Sequence, residues 1–355
     1  MATTLERSAA TKPASRPRPR FARQVETPAF VLPEGKEIGA VLACTRGPNG
    51  DLYILHQPNA QGVAPGSEAK SRWLPPLVHL SQSGTFINAW GGPDHIPSVN
   101  GVSQWPVALE GLECDDEGSI WIFGYKTGDN AVLKFSQNGE LLLRIGERGK
   151  TGDDLDTRYL DRPTACYHDI ATREVFISDG YGNNRVIAFH SDTGEFTRLW
   201  GAYDGPPAPV DYPDGLQAVV HKVARGPSGH LYVADRTGCK IREFELIPGG
   251  ARCTRTVDVG PGTKVRTTGS CWDIGFSNDG DFMYVADGSN FRVWIVAMDS
   301  FEVLGSTSIH DEHENEVNQP IHFSLLHRFT VETNGDLLLA MVNAGVKRLK
   351  YLGVS

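Results

Sequence analysis

Nowhere does the chain carry eighteen consecutive apolar residues, so nothing in it reads as a membrane-spanning helix and no membrane is expected as a partner. Paired-cysteine spacing is also missing. The six cysteines, Cys44, Cys114, Cys166, Cys239, Cys253 and Cys271, are scattered without a CxxC. This favours free thiols in a reducing compartment, read here as cytoplasmic, with a Cys239–Cys253 bridge left open for an exported chain. No basic stripe follows the first twenty residues and the net charge is -9, which argues against nucleic acid. No long helical periodicity competes with the short alternating runs described below. The opening MATTLERSAATKPASRPRPR lacks an apolar segment and is not a secretory signal. It is Arg-rich and poor in acids, so a transit peptide stands as the lesser reading against a disordered tail spanning residues 1–23.

What is present is a repeat. An apolar run, a polar turn with Gly, an alternating run ending in Asp or a substitute, a loop and another alternating run recur along 355 residues. The clearest copies are VFISDGYGNNRVIAFHSDTGEF (175–196), LYVADRTGCKIREFEL (231–246) and MYVADGSNFRVWIV (283–296). More degenerate copies are LYILHQ (52–57), IWIFGYKTGDNAVLKFSQNGEL (120–141) and LLLAMVNAGVKRLKYL (337–352). Turn anchors at Gly50, Gly118, Arg173, Gly229, Gly280 and Gly335 lie 51 to 68 residues apart, within reach of a propeller blade with loops. One blade cannot bury both of its faces; a closed ring of blades can. The fold expected is therefore all-β: a six-bladed β-propeller over residues 24–355. The last copy supplies three strands, so QVETPAFVL (24–32) is expected to close the final blade from the N-terminal side.

The first strand of each blade lines the channel, so equal registers converge on the axis. Eight residues before each anchor stand Leu42, Glu110, Ala165, His221, Trp272 and His327. Glu110, His221 and His327 come from alternate blades, which places them around the axis with approximate three-fold symmetry. Three N/O ligands with an open position is the arrangement of a catalytic zinc site, so a divalent metal, Zn²⁺ first, is the expected cofactor. The structural alternative is three polar residues facing a wet channel.

SDGYGNNRVIAF (178–189) and VADRTGCKIREF (233–244) resemble the peptidyl-α-hydroxyglycine α-amidating lyase family, within the wider NHL-repeat propellers. The resemblance extends over roughly residues 40–351 and is strongest in blades three and four. It implies an axial zinc held by three His, which fall on Glu110, His221 and His327, one of them departing from the pattern. The catalytic Tyr of the family matches Tyr181. Its first-blade Arg falls on Gln57, next to His56; its Cys after the Tyr is Gly182, so the associated disulfide is absent; its Met before the last His is Leu325. Losing the Arg removes a fixed positive charge that would grip an anion. A Glu ligand makes the site less positive by one unit, and His₂Glu remains a common hydrolytic zinc set.

Two functions follow. One is a metal-dependent lyase or hydrolase acting on a small oxygenated organic substrate, with Tyr181 as acid or base and Gln57 and His56 positioning the substrate. The other is a non-catalytic NHL-repeat interaction scaffold, in which the long insert from Pro58 to Pro76 serves as a partner loop or lid. Neither substrate identity nor oligomeric state is legible. HDEHENE (310–316) reads as a solvated loop, since its spacing fits no zinc motif. Asp179, Asp235 and Asp287 read as turn-capping repeat features. Trp272 divides evenly between packing and a substrate platform. His168 and His190 read as surface residues, and Arg46 as lying toward the far end of its strand.

Overall fold

The computed structural model describes residues 16–58, 72–201, 219–260, 269–288, 290–308 and 325–355, and among them all the regular elements are strands. They form six four-stranded antiparallel sheets. The first strands are Ala40–Arg46, Leu109–Cys114, Pro163–Asp169, Val220–Arg225, Asp273–Phe276 and Leu326–Val331. Each packs against the first strand of the next sheet, and the sixth packs against the first, so the sheets are the blades of a closed six-bladed propeller.

The strand pattern follows from burial. Second strands such as LYILHQ, EVFISD and FMYVAD are buried at every residue, because sheets cover both their faces, and they read as continuous apolar runs. Outer strands such as GARCTRTVD alternate, because one face meets water. The core is six clusters, each centred between two neighbouring blades; Leu42, Tyr53 and Leu55 of blade one, for example, meet Leu112, Ile120 and Leu133 of blade two, with Val342 of blade six at the edge. All six turn anchors adopt positive φ, with five glycines between 79° and 86° and Arg173 at 57°. That conformation is nearly free for Gly and costs a side-chain-bearing residue about 1 kcal/mol, which explains the recurrence of Gly there.

The N-terminal side of the chain does close the ring, but only residues 24–26 of the expected 24–32 take part. The closing strand is Pro19–Glu26, paired antiparallel with Gly345–Val354, with Phe21 opposite Tyr351 and Val25 opposite Leu349. It begins inside the segment 1–23 expected to be a tail, and Arg18 and Ser355 exchange two backbone hydrogen bonds of 3.1 Å. Phe21 is buried and meets the Tyr284 ring of blade five edge-on at 5.4 Å. The apolar run of 24–32 misled because Pro28 removes a ladder donor. Phe30 and Leu32 instead pack on the cluster between blades one and six, while Val31 bridges to Thr85. Phe21→Ala is therefore expected to cost about 3 kcal/mol. At ~2–4 °C per kcal/mol, calorimetry should show Tm falling by roughly 6–12 °C.

Candidate metal centre on the propeller axis

Bulges at the start of the first strands aim side chains at the axis. Pairing steps from Leu109–Gly124 to Gly111–Phe123 and leaves Glu110 between the two; His221, His327 and Leu42 sit in the same gap in blades four, six and one. In blade three the gap falls on Thr164, one residue before the expected Ala165. The cause is the turn: only four residues separate Asp169 from Glu174, so an anchor counted from the turn is displaced. Thr164 turns its hydroxyl away to the Val220 carbonyl at 2.7 Å.

The structure brings Glu110, His221 and His327 together, all three buried, with one ligating atom from each lying within 4.8 Å of the others. Glu110 Oε1 is 3.1 Å from His221 Nε2 and 3.2 Å from His327 Nε2. Each imidazole points its other nitrogen at a backbone carbonyl: His221 Nδ1 at Trp272 and His327 Nδ1, at 2.7 Å, at Leu42. A proton on Nδ1 satisfies each of those carbonyls and leaves Nε2 as a lone pair on the axis. Burial, then the nearby Arg328 guanidinium, push His221 well below the usual imidazole range, so its ring is neutral. Three acceptors thus face one point, and His221 Nε2 has no hydrogen-bond donor. An ion bound tetrahedrally at ~2.0–2.2 Å would hold such atoms about 3.3–3.6 Å apart, so the donor set fits a divalent metal.

Tyr181 stands beside this point. Its hydroxyl lies 3.4 Å from Glu110 Oε1 and accepts from Arg236 Nη1 at 3.1 Å. Burial and the Glu110 charge push its hydroxyl up to about 12 against the opposing Arg236 charge, so it stands protonated near neutrality. Trp272 meets His221 and His327 edge-on at 5.4 and 5.9 Å, and the Arg236 guanidinium stacks 4.3 Å over its ring. Gln57 spends Oε1 on the Leu109 amide at 3.3 Å, one residue from Glu110. His56 is not at the trio's centre; it accepts from the Gly39 amide and donates to the Pro75 carbonyl, each at 3.1 Å.

Two residues escape the sequence reading. Arg236 supplies a positive charge from blade four where blade one offers Gln57. A signal existed: the residue after the blade aspartate is Gly180 in blade three and Gly288 in blade five, where a Cβ would come within 1.9 Å of Val220 O and 2.4 Å of Leu326 O. An Arg in that slot needs a reason. Arg328, next to a ligand, spans the channel beneath the trio; it donates to the carbonyls of His221 (3.2 Å) and Thr164 (2.8 Å) and lies 3.5 Å from Asp273 and 3.7 Å from Glu110.

Elsewhere, His168 is buried rather than at the surface, bonded through Nδ1 to Asp115 at 2.8 Å. Asp179, Asp235 and Asp287 accept from the amides of Asp161, Gly238 and Asn290. Arg46 is paired with Glu332 at 2.6 Å. All six cysteines are free, Cys239 and Cys253 included. The HDEHENE segment and most of the 58–76 insert lie outside the described residues. No described helix is long and apolar enough to cross a membrane.

No protein-family model matches the chain. NHL repeat-containing protein 3 of Homo sapiens is 27% identical over 245 residues, 66% of this chain and 62% of that protein. The chain thus spans under two thirds of that relative's length. Peptidylglycine alpha-amidating monooxygenase of Rattus norvegicus is 32% identical over 139 residues, 38% of this chain and 13% of that protein. A streptogramin B lyase structure superposes with a TM-score of 0.54 at 12% identity, covering 95% of this chain and 98% of its own. The propeller domain of Myceliophteria thermophila Cps50 (Swd1) gives 0.52 at 10% identity, covering 89% and 98%. At such identities the structures speak for the propeller fold alone.

Proposed function

We propose that the chain is a metal-dependent enzyme, a lyase or hydrolase, acting on a small oxygenated organic substrate at the propeller axis. The observation that carries this reading is the convergence of a buried Glu110 carboxylate and the Nε2 atoms of His221 and His327 on one point, with Glu110 Oε1 at 3.1 and 3.2 Å from the two nitrogens. Glu110, His221 and His327 would hold the ion, and a divalent cation there, zinc by its His₂Glu set, would supply Lewis acidity toward a substrate oxygen or water. Tyr181 holds a proton on Oη within reach of that centre and delivers it to a leaving group. Arg236 orients the phenol and stabilises the charge left on its oxygen when the proton moves. In the lyase form a carbon bearing both a hydroxyl and a leaving group becomes a carbonyl: the bond to the leaving group breaks, that group takes the Tyr181 proton, and the hydroxyl proton restores the phenol. In the hydrolase form water adds to the carbonyl carbon of an ester, lactone or amide, the bond to the leaving group breaks, that group takes the Tyr181 proton, and a proton of the water restores the phenol.

The similarity to NHL repeat-containing protein 3 favours a second reading, a scaffold that binds through its loop faces. Metal content separates the two. After dialysis of protein supplied with zinc, elemental analysis is expected to find close to one equivalent per chain, lost in the Glu110→Ala variant. A dialysed protein with no retained metal would leave the scaffold reading standing.

A further inference from the structure

Between blades one and two lies a pocket of about 590 Å³ whose wall includes Leu109, the residue before Glu110. That is within the range of small-molecule sites. Its walls are largely apolar, with Trp73, Trp105, Pro75, Pro93, Val107 and Leu109 among them. Trp105 can lie flat against the backbone because Gly91, at φ +106°, has no Cβ; one would meet the indole at 2.6 Å. Leu109, in the wall, directly precedes Glu110, and its amide donates to Gln57 Oε1.

The polar groups of the wall are almost all spent. Arg148 is paired with Asp129 at 3.1 Å and donates to the Ser103 carbonyl at 2.9 Å. His56 has both ring nitrogens on backbone groups, and burial lowers it to about 4, so it is neutral. Gln57 is the exception. It is 4% exposed, gives Oε1 to the Leu109 amide, and leaves Nε2 without a hydrogen-bond partner. An orphaned buried donor is a standing cost of roughly 1–3 kcal/mol that an acceptor on a ligand would relieve.

We infer that this pocket takes an uncharged apolar group, ring-sized, carrying a carbonyl-type acceptor that Gln57 Nε2 recognises, and that it holds the non-reacting part of the substrate. The inference rests on the proposed catalytic reading for the word substrate, but the pocket binds its ligand whether or not metal is present. Two unpaired features would be matched at once, the apolar walls and the amide donor. An anion gains nothing here, because the one cation in the wall, Arg148, is already paired with Asp129.

The test uses the full chain and saturation-transfer NMR with two probes, phenylacetamide and phenylacetate. Phenylacetamide should bind at least ten-fold more tightly than phenylacetate. Val107→Trp, which fills the pocket from its exposed rim, should weaken phenylacetamide at least ten-fold at unchanged Tm and metal content. Gln57→Leu should weaken it by roughly ten-fold, the worth of one hydrogen bond. Equal binding of the two probes, or Val107→Trp binding like the parent, overturns the inference. Its failure is distinct from that of the catalytic reading. Probe binding with Val107 dependence in a chain that takes no metal supports the pocket and removes the enzyme; metal retention without probe binding does the reverse.

Discussion

His221→Ala is expected to lose metal and turnover together, whereas Tyr181→Phe should keep the metal and lose turnover alone. His221 provides one of three ligating atoms, and its Nδ1 contact with Trp272 fixes which nitrogen faces the axis. Disturbing only such a supporting contact costs about 10–100-fold in metal affinity, so removing the ligand itself should exceed that. Tyr181→Phe deletes one hydroxyl and leaves the ring against Tyr125, His221 and the Arg236 guanidinium. General acid help is worth ~10²–10⁴ in rate, about 3–5 kcal/mol of barrier. The comparison needs elemental analysis and a rate on whichever ester, lactone or carbinol substrate proves active, at saturating metal. Full activity in Tyr181→Phe would make the phenol structural. Full activity in both variants would remove the axis as the reacting centre.

The second large effect belongs to stability. Arg328→Leu is expected to cost about 3–5 kcal/mol, the penalty for leaving a buried charge partnerless. In this chain that should appear as a Tm lower by about 10 °C. The guanidinium ties the carbonyls of Thr164 and His221 across two blades and faces Asp273, whose Oδ2 accepts from the Phe329 amide at 2.9 Å. Lys222, 3.8 Å from Asp273 Oδ1, can compensate only in part. Neutralising Asp273 as well, by Asp273→Asn, should recover part of the loss while keeping the amide bond. A double variant no better than Arg328→Leu alone would show that the bonds to the carbonyls, not the buried charge, carry the effect.

Much of this was legible beforehand, and the reasons differ from residue to residue. The blades could be counted because a buried second strand and a positive-φ turn are local demands, met within about ten residues of chain. Glu110, His221 and His327 could be aligned because their blades share one turn length. Blade three broke the count by a single residue, and with it the position of Thr164. The closing strand was misplaced because the apolar run at 24–32 reads as a strand, whereas the decisive facts are Pro28 and a partner at the other end of the chain. Arg236 and Arg328 were passed over because charge in a repeat is normally solvent-facing. What makes them inward is their partners on other blades, Tyr181 and Trp272 for Arg236 and Thr164, His221 and Asp273 for Arg328, which no single segment reveals. His168 was misjudged for the same reason, since its carboxylate partner Asp115 sits on the adjacent blade.

The pairing of the two ends within one blade also sets an order of events at synthesis. Thr27 and Lys347, hydrogen-bonded at 2.7 Å, are 320 positions apart. Within the ring, Pro19–Glu26 is made before the other strands and is the last to find its place, with one edge bare while five blades assemble. Until the final hairpin emerges, the nascent chain is an open arc with two raw flanks, each a template for a stray strand. Closing a loop of that length is slow, because the entropy is surrendered before any contact is gained. Once shut, the same seam works as a latch: blades six and one cannot part without undoing Phe21 and its ladder.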